Sequence, residues 1–417
     1  MKRNYLVICL IMLTFFVISF LTNILGALNP NVSAGYHLTE TMAGFLPFVF
    51  FIAYGIMSIP SGFLLEKWGG KRMMIIAFIL AFLGAFVFTL YPRFNVFVIS
   101  LFVIGTGMAI LQVVINPLLR VAGGEEHYAF NSVLAQLIFG LASFISPQMY
   151  SYLVTNIDKG NLSKPFIGLL SKLVPPALSW VSVYWVFALL SILMIVVIAL
   201  VKFPKVELQE DEKVGSKVSY VELFKNKYVI LYFLGIFAYV GSEQGISYWM
   251  SKFLYINHGI NPNTLGADAV SYFWGLMTIG GILGLILLKL LDSKMVLRWF
   301  TLLAFVSLIS GLFGNTQMAL WAFPVSGFFL SVMYPIIVSL GLNSVSKYHG
   351  SFAGILMSGI AGGAVVQILI GGISDLTSLK TGMFLLFITL GYILSISFWA
   401  KPLINNKTVN IKEIFKA

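Results

Sequence analysis

The chain has 417 residues, 59% of them hydrophobic, and carries only 41 charged side chains, 26 Lys and Arg against 15 Asp and Glu. Soluble domains are about 25% charged, so a chain at 10% cannot face water all round; disorder, collagen and secreted disulfide scaffolds are excluded by the same arithmetic. The net charge of +11 builds no basic face for nucleic acid, because the positive residues sit in short loops between apolar runs, and a single cysteine, Cys9, rules out an internal disulfide or a cysteine metal site.

About 20 apolar residues carry a helix across the hydrocarbon core of a bilayer. Such runs recur twelve times, at 5–28, 42–65, 73–91, 95–119, 129–155, 180–201, 228–256, 267–291, 299–314, 318–343, 351–374 and 382–400. They are continuously apolar, where a barrel would show short alternating segments, so the expected fold class is all-α integral membrane with twelve transmembrane helices. The first run follows Lys2 and Arg3 in the manner of a signal peptide, but it exceeds the roughly 7–15 residues of a signal core and holds Asn23 near its far end. Between the second and third runs lies Gly62-Phe63-Leu64-Leu65-Glu66-Lys67-Trp68-Gly69-Gly70-Lys71-Arg72, a tight turn rich in charge.

The fourth run contains Gln112 and then Asn116-Pro117. Their i, i+4 spacing puts both amides on one helix face, while Pro117 frees backbone carbonyls that Asn116 can satisfy. The stretch 156–179 with Pro165, Pro175 and Pro176 reads as a long loop. Residues 202–227, polar and of mixed charge, then divide the chain into 1–201 and 228–417, six runs each. The seventh run holds the one acid set deep in an apolar stretch, Glu243, followed by Gln244. An acid at a helix centre costs about 2.5–3.5 kcal/mol on insertion scales and marks a functional cavity more often than a structural bond. Three roles stay open for it: accepting hydroxyl hydrogen bonds, ligating Na+, or exchanging a proton.

Orientation follows from counting. With both termini cytoplasmic, 20 of the 26 Lys and Arg fall inside, and the six outside are Arg93, Lys159, Lys164, Lys172, Lys252 and Lys380. The positive-inside rule favours this arrangement, and an odd number of spans would dilute the bias. The expected location is a bacterial-type inner membrane. The four histidines, at 37, 127, 258 and 349, lie in loops or at helix ends without metal-ligand spacing. No nucleophile–base pair is visible, so no enzyme and no metal site are expected.

Six runs on either side of a basic central loop resemble the layout of the major facilitator superfamily, in which two bundles rock about a central site. The Gly62–Arg72 stretch is similar to that superfamily's loop signature, with Glu66 where Asp is usual and Lys67 where Arg is usual. The resemblance implies close helix approach at Gly62 and a gate formed by Glu66, Lys67, Lys71 and Arg72. More specific matches are NILGALNP from Asn23, GTGMAILQVVINPLLR from Gly105, YVGSEQGISYWMSKFL from Tyr239, and the stretch from Tyr334 to Asp375. They resemble the fucose–galactose–gluconate:proton symporter family. Membership would imply sugar uptake by alternating access, usually coupled to an inward proton. Proton-coupled members carry acids at the positions of Gly26 and Gln112; neither Gly nor Gln can exchange a proton, so coupling at those two places does not carry over.

In that fold the first, fourth, seventh and tenth spans line the cavity, with the fifth and eleventh flanking it. Sugar-binding candidates are then Asn23, Gln112, Asn116, Gln136, Glu243, Gln244, Asn343 and Gln367, since amides offer donor and acceptor to vicinal hydroxyls. Tyr248 and Trp274 are candidates for stacking on a sugar ring, with Tyr239 and Trp249 at similar depth. The expected partner is a neutral hexose-like sugar, the coupling ion is Na+, H+ or none, there is no other cofactor, and the chain is expected to act as a monomer in the bilayer. The alternative is a drug, lipid or peptidoglycan-fragment transporter on the same fold. A non-transporting sensor would be expected to carry a signalling domain, and only 16 residues follow Lys401.

Overall fold

A computed structural model of the chain describes residues 4–161, 164–204, 217–345 and 347–403. Lys2, Arg3, the part 205–216 of the expected linker and the tail 404–417 lie outside the described residues. The chain is an all-helical membrane protein. Among the described residues, twelve helices are long and apolar enough to cross a membrane. They are span 1 (Tyr5–Gly35), span 2 (Glu40–Ser58), span 3 (Gly70–Leu90), span 4 (Phe94–Gly123), span 5 (Phe130–Asp158), span 6 (Ser179–Leu200), span 7 (Lys227–His258), span 8 (Pro262–Leu290), span 9 (Ser293–Phe313), span 10 (Thr316–Leu342), span 11 (Ser351–Leu376) and span 12 (Leu379–Trp399). The twelve expected runs match these one for one. Two differences have local causes. The helix of span 2 continues to Trp68 and turns at Gly69, φ 76°, into span 3, a left-handed conformation that glycine takes without steric cost. Pro165 starts a short helix, Pro165–Leu173, inside the long loop after span 5, as proline at a first helical position does.

Short polar residues set many of the helix starts. Thr39 accepts from the Met42 N–H at span 2, Asp292 from the N–H groups of Lys294 and Met295 at span 9, and Asn315 from Met318 at span 10; each satisfies a donor left orphaned at a helix start. A proline sets the break in span 10. The helical segments of span 10 are Thr316–Leu330 and Met333–Leu342. The ring of Pro335 would meet the carbonyl four residues back, at Ser331, and the helix gives way there. Span 1 is likewise two segments, Tyr5–Thr22 and Leu25–Gly35, with Asn23 at the joint and Pro30 in the second segment.

Span 4 lies against spans 1, 2 and 3, span 1 also against span 5, and span 3 against span 6. Spans 8, 9 and 10 pack together, and span 7 packs on spans 10, 11 and 12. The main contacts between spans 1–6 and spans 7–12 are span 2 with span 11, span 5 with span 8, and span 1 with span 7. The last of these uses the second segment of span 1, the one farther from the chain's start. On the side remote from the termini, the far side, the two sets are therefore tied together; toward the termini spans 1 and 7 part.

Candidate substrate site

The depth of Glu243 follows from its place in span 7, sixteen residues after Lys227 and fifteen before His258. At about 1.5 Å rise per residue this puts its carboxyl near mid-membrane. The side chain is half-buried. Its Oε1 accepts from the Tyr239 hydroxyl at 2.8 Å, one turn away on the same face, and Gln244 Nε2 stands 3.5 Å from Oε2. The Tyr239 ring lies 5.7 Å from that of Tyr334 on span 10, and the Tyr334 hydroxyl faces Met357 Sδ on span 11 at 3.0 Å. One carboxylate is thus wired to spans 10 and 11 through two tyrosines. Among the described residues its second oxygen has only the long Gln244 contact, which leaves acceptor capacity there.

The other expected site residues divide into two groups. Gln112 and Asn343 are half-buried and Asn116 and Gln136 exposed; the Asn116 and Asn343 amides are weakly held, Asn116 Nδ2 donating to the Gln112 backbone carbonyl at 3.4 Å and Asn343 Nδ2 to Ser339 Oγ at 3.5 Å. These amides have donors and acceptors to offer. The second group is buried, and except in Trp274 its polar atoms are engaged within the protein. Asn23 is buried and donates to Ser143 Oγ at 2.8 Å, tying span 1 to span 5 at the joint. Gln367 is fully buried, and its Oε1 accepts from Trp249 Nε1 at 2.9 Å. Tyr248 is buried, and its hydroxyl donates to the Ala43 carbonyl at 2.6 Å, across the two sets of spans. Gln244 is buried beside Glu243, and Trp274 is buried, edge-on to Phe273, with an Nε1 that finds no partner among the described residues.

The charged turn between spans 2 and 3 sits on the terminus side. Glu66, Lys67 and Arg72 are exposed, and Gly62 is half-buried. Lys71 donates to the carbonyls of Ala199 and Val201 at 2.8 and 2.7 Å, so its ammonium serves the C-terminal end of span 6, where a positive charge is favoured.

Lys252, counted from the sequence among the outward-facing positive residues, is 6% exposed and lies inside span 7. It pairs with Glu40 Oε2 at 2.5 Å and donates to Ser33 Oγ at 3.0 Å. Only its position before the end of the seventh apolar run hinted at this, and the partners lie more than 200 residues away. Gly26, where relatives were expected to have an acid, has a packing role: a methyl there would collide with the Ser247 carbonyl of span 7.

Comparison with known proteins matches residues 11–366 to the Major Facilitator Superfamily. The chain is 27% identical to a "Glucose/galactose transporter" of Brucella abortus, across 94% of this chain and 93% of that one. It is 28% identical to the "L-fucose-proton symporter" of Escherichia coli K12, across 90% and 88%. Among solved structures, the transporter FucP in its outward conformation aligns with a TM-score of 0.67 at 22% identity, covering 94% of this chain and 98% of that one. An inward-facing bacterial homologue of the lysosomal transporter Spinster aligns at 0.75 and 14% identity, covering 94% and 96%.

Proposed function

Because the chain belongs to the Major Facilitator Superfamily, we propose that it carries a neutral, hexose-like sugar by alternating access, with a proton as coupling ion and Glu243 as its carrier. The observation that carries the reading is Glu243 itself: of the chain's 15 acids, it alone stands at the middle of a span, and its carboxyl is held by a tyrosine hydroxyl with one oxygen largely unengaged. The amides of Gln112, Asn116, Gln136 and Asn343 supply paired donors and acceptors, the chemistry that vicinal hydroxyls need. The names of the relatives support a sugar over a drug, lipid or peptidoglycan fragment, and a proton over Na+. Spans 1–6 and 7–12 act as two rocking bundles joined by the linker 202–227. The terminus side is cytoplasmic by the excess of Lys and Arg there, the membrane is a bacterial inner membrane, and one chain provides a whole pathway.

In this cycle a protonated Glu243 crosses from one exposure to the other as a neutral group, and loses its proton where the Tyr239 hydroxyl and water receive the carboxylate. One coupled charge brings about 2.3 kcal/mol per 100 mV, close to fiftyfold in concentration at 1.4 kcal/mol per decade. The test is uptake of a panel of labelled monosaccharides into liposomes holding the purified protein. Saturable hexose uptake that rises above equilibrium under an imposed pH gradient, and is unaffected when choline replaces Na+, is expected. No uptake of any monosaccharide overturns the sugar reading. Uptake that only ever equilibrates overturns the coupling.

A further inference from the structure

On the far side, charged groups converge on one turn, Thr39–Thr41, at the start of span 2. The Glu40 side chain is held by span 7: its Oε2 lies 2.5 Å from Lys252 Nζ, which also donates to Ser33 Oγ of span 1 at 3.0 Å. The backbone of the same turn is held by span 11. Asp375 Oδ1 accepts from the Glu40 N–H at 2.7 Å, and Oδ2 accepts from the Thr41 N–H at 2.9 Å and the Thr41 hydroxyl at 2.5 Å. Thr39 already serves Met42, so Asp375 completes the cap of a helix 335 residues away in sequence. Glycines let the backbones meet beneath it. A methyl at Gly371 would strike the Glu40 carbonyl, and one at Gly44 the Gln367 carbonyl.

We propose that Glu40, Lys252 and Asp375 form a releasable latch, making them the residues that gate the far side of the transport path. The chemistry suits a joint that must open. Parting an apolar seam exposes hydrocarbon to water with no return. Parting this latch lets Lys252, Glu40, Asp375 and the freed N–H groups of span 2 recover hydration, which offsets the lost pairing. Closed, Lys252 is buried and the Glu40 Oε2 that it meets is shielded from water, although the Glu40 side chain keeps 21% exposure, and each charge depends on the other. Removing one partner therefore strands a charge in the closed state alone, and the population moves to the open one.

The inference rests on the alternating-access reading, and the experiment separates the two. Spin labels are placed in a Cys9-free chain at two pairs of exposed peripheral sites, Tyr91 with Tyr255 on the far side and Leu200 with Trp299 toward the termini, and distances are measured with and without a transported hexose. The E40Q or K252M change alone is expected to raise the far-side-open to closed ratio roughly tenfold or more, the terminus-side pair shortening in step. The double variant E40Q/K252M, with no stranded charge, is expected to return part of the way, and D375N to shift less than D375A because it keeps an acceptor oxygen. Should either single variant fail to fold, the double variant against D375A and D375N carries the comparison. If the wild type samples both distances with sugar while none of these variants shifts the ratio, the latch is wrong and alternation stands. If the wild type never samples a long far-side distance, alternation itself is wrong.

Discussion

Glu243 and Tyr239 stand four residues apart, so the helix itself places hydroxyl and carboxyl together; the bond needs no help from tertiary packing. Glu243→Gln keeps the shape and most of the hydrogen bonding but cannot take up a proton. The variant is expected to lose sugar accumulation driven by a pH gradient while retaining sugar-for-sugar exchange, read by counterflow in liposomes. Loss of exchange as well would make Glu243 a binding residue and no more. Gln367, a substrate-binding candidate, accepts from the buried Trp249 indole through its Oε1. Gln367→Ala leaves a buried indole N–H unpaired, a loss of about 1–3 kcal/mol, and should lower the thermal midpoint in detergent; an unchanged midpoint would free Gln367 for the sugar. Gly26 reverses an expectation in another way. Restoring an acid with Gly26→Asp is expected to abolish transport, because the side chain has no room beside Ser247 and the far side could not close. Gain of pH-driven uptake in that variant would refute the packing argument.

Among the elements, span 10 is broken just before Pro335 and span 1 at Asn23, well before Pro30, and both lie on the walls that the superfamily resemblance assigned to the cavity. The break in span 10 falls next to Tyr334, whose ring touches the Glu243 partner Tyr239. Pro335→Ala restores a backbone donor and removes the clash with residue 331, so the two segments should join. The expected outcome is a slower maximal uptake rate with little change in half-saturation, since the hinge is lost and the amides remain; an unchanged rate would show that span 10 moves as a unit. Element existence was legible in the sequence because a membrane helix must be apolar over its whole length. The breaks were not legible: Pro117, where the sequence suggested a disturbance, leaves span 4 continuous from Phe94 to Gly123, and the break before Pro335 was not anticipated. Neighbouring contacts decide which proline bends and which is absorbed.

At the scale of the molecule, spans 1 and 7 meet on the far side through the second segment of span 1, while span 2 holds to span 11 along both of that span's segments. The positive-inside argument assigns the terminus side to the cytoplasm. A fluorescent protein fused after Ala417 should therefore fold and fluoresce, and alkaline phosphatase inserted at Lys159 should be active outside; the opposite pattern would invert the assignment. Lys252 entered that count as an outside charge near the end of the seventh run, and it is buried in an ion pair with Glu40. The count survives its removal, with 5 of the remaining 25 positive residues on the far side. The sequence could not mark it, because a lysine near the end of an apolar run reads the same whether it reaches for water or for an acid on another span.

The sequence by itself determined the twelve spans, the superfamily and the depth of Glu243, because each depends on residues within one helix or on composition that lipid imposes along the chain. Which partner each polar side chain takes was decided only when spans met. Asn23, Gln367 and Tyr248 were taken up by bonds to Ser143, Trp249 and the Ala43 carbonyl, and Glu40, Lys252 and Asp375 were joined across the far side. A buried polar group takes whatever partner packing brings within reach, and partners from opposite ends of a chain have no signature in the local sequence of either.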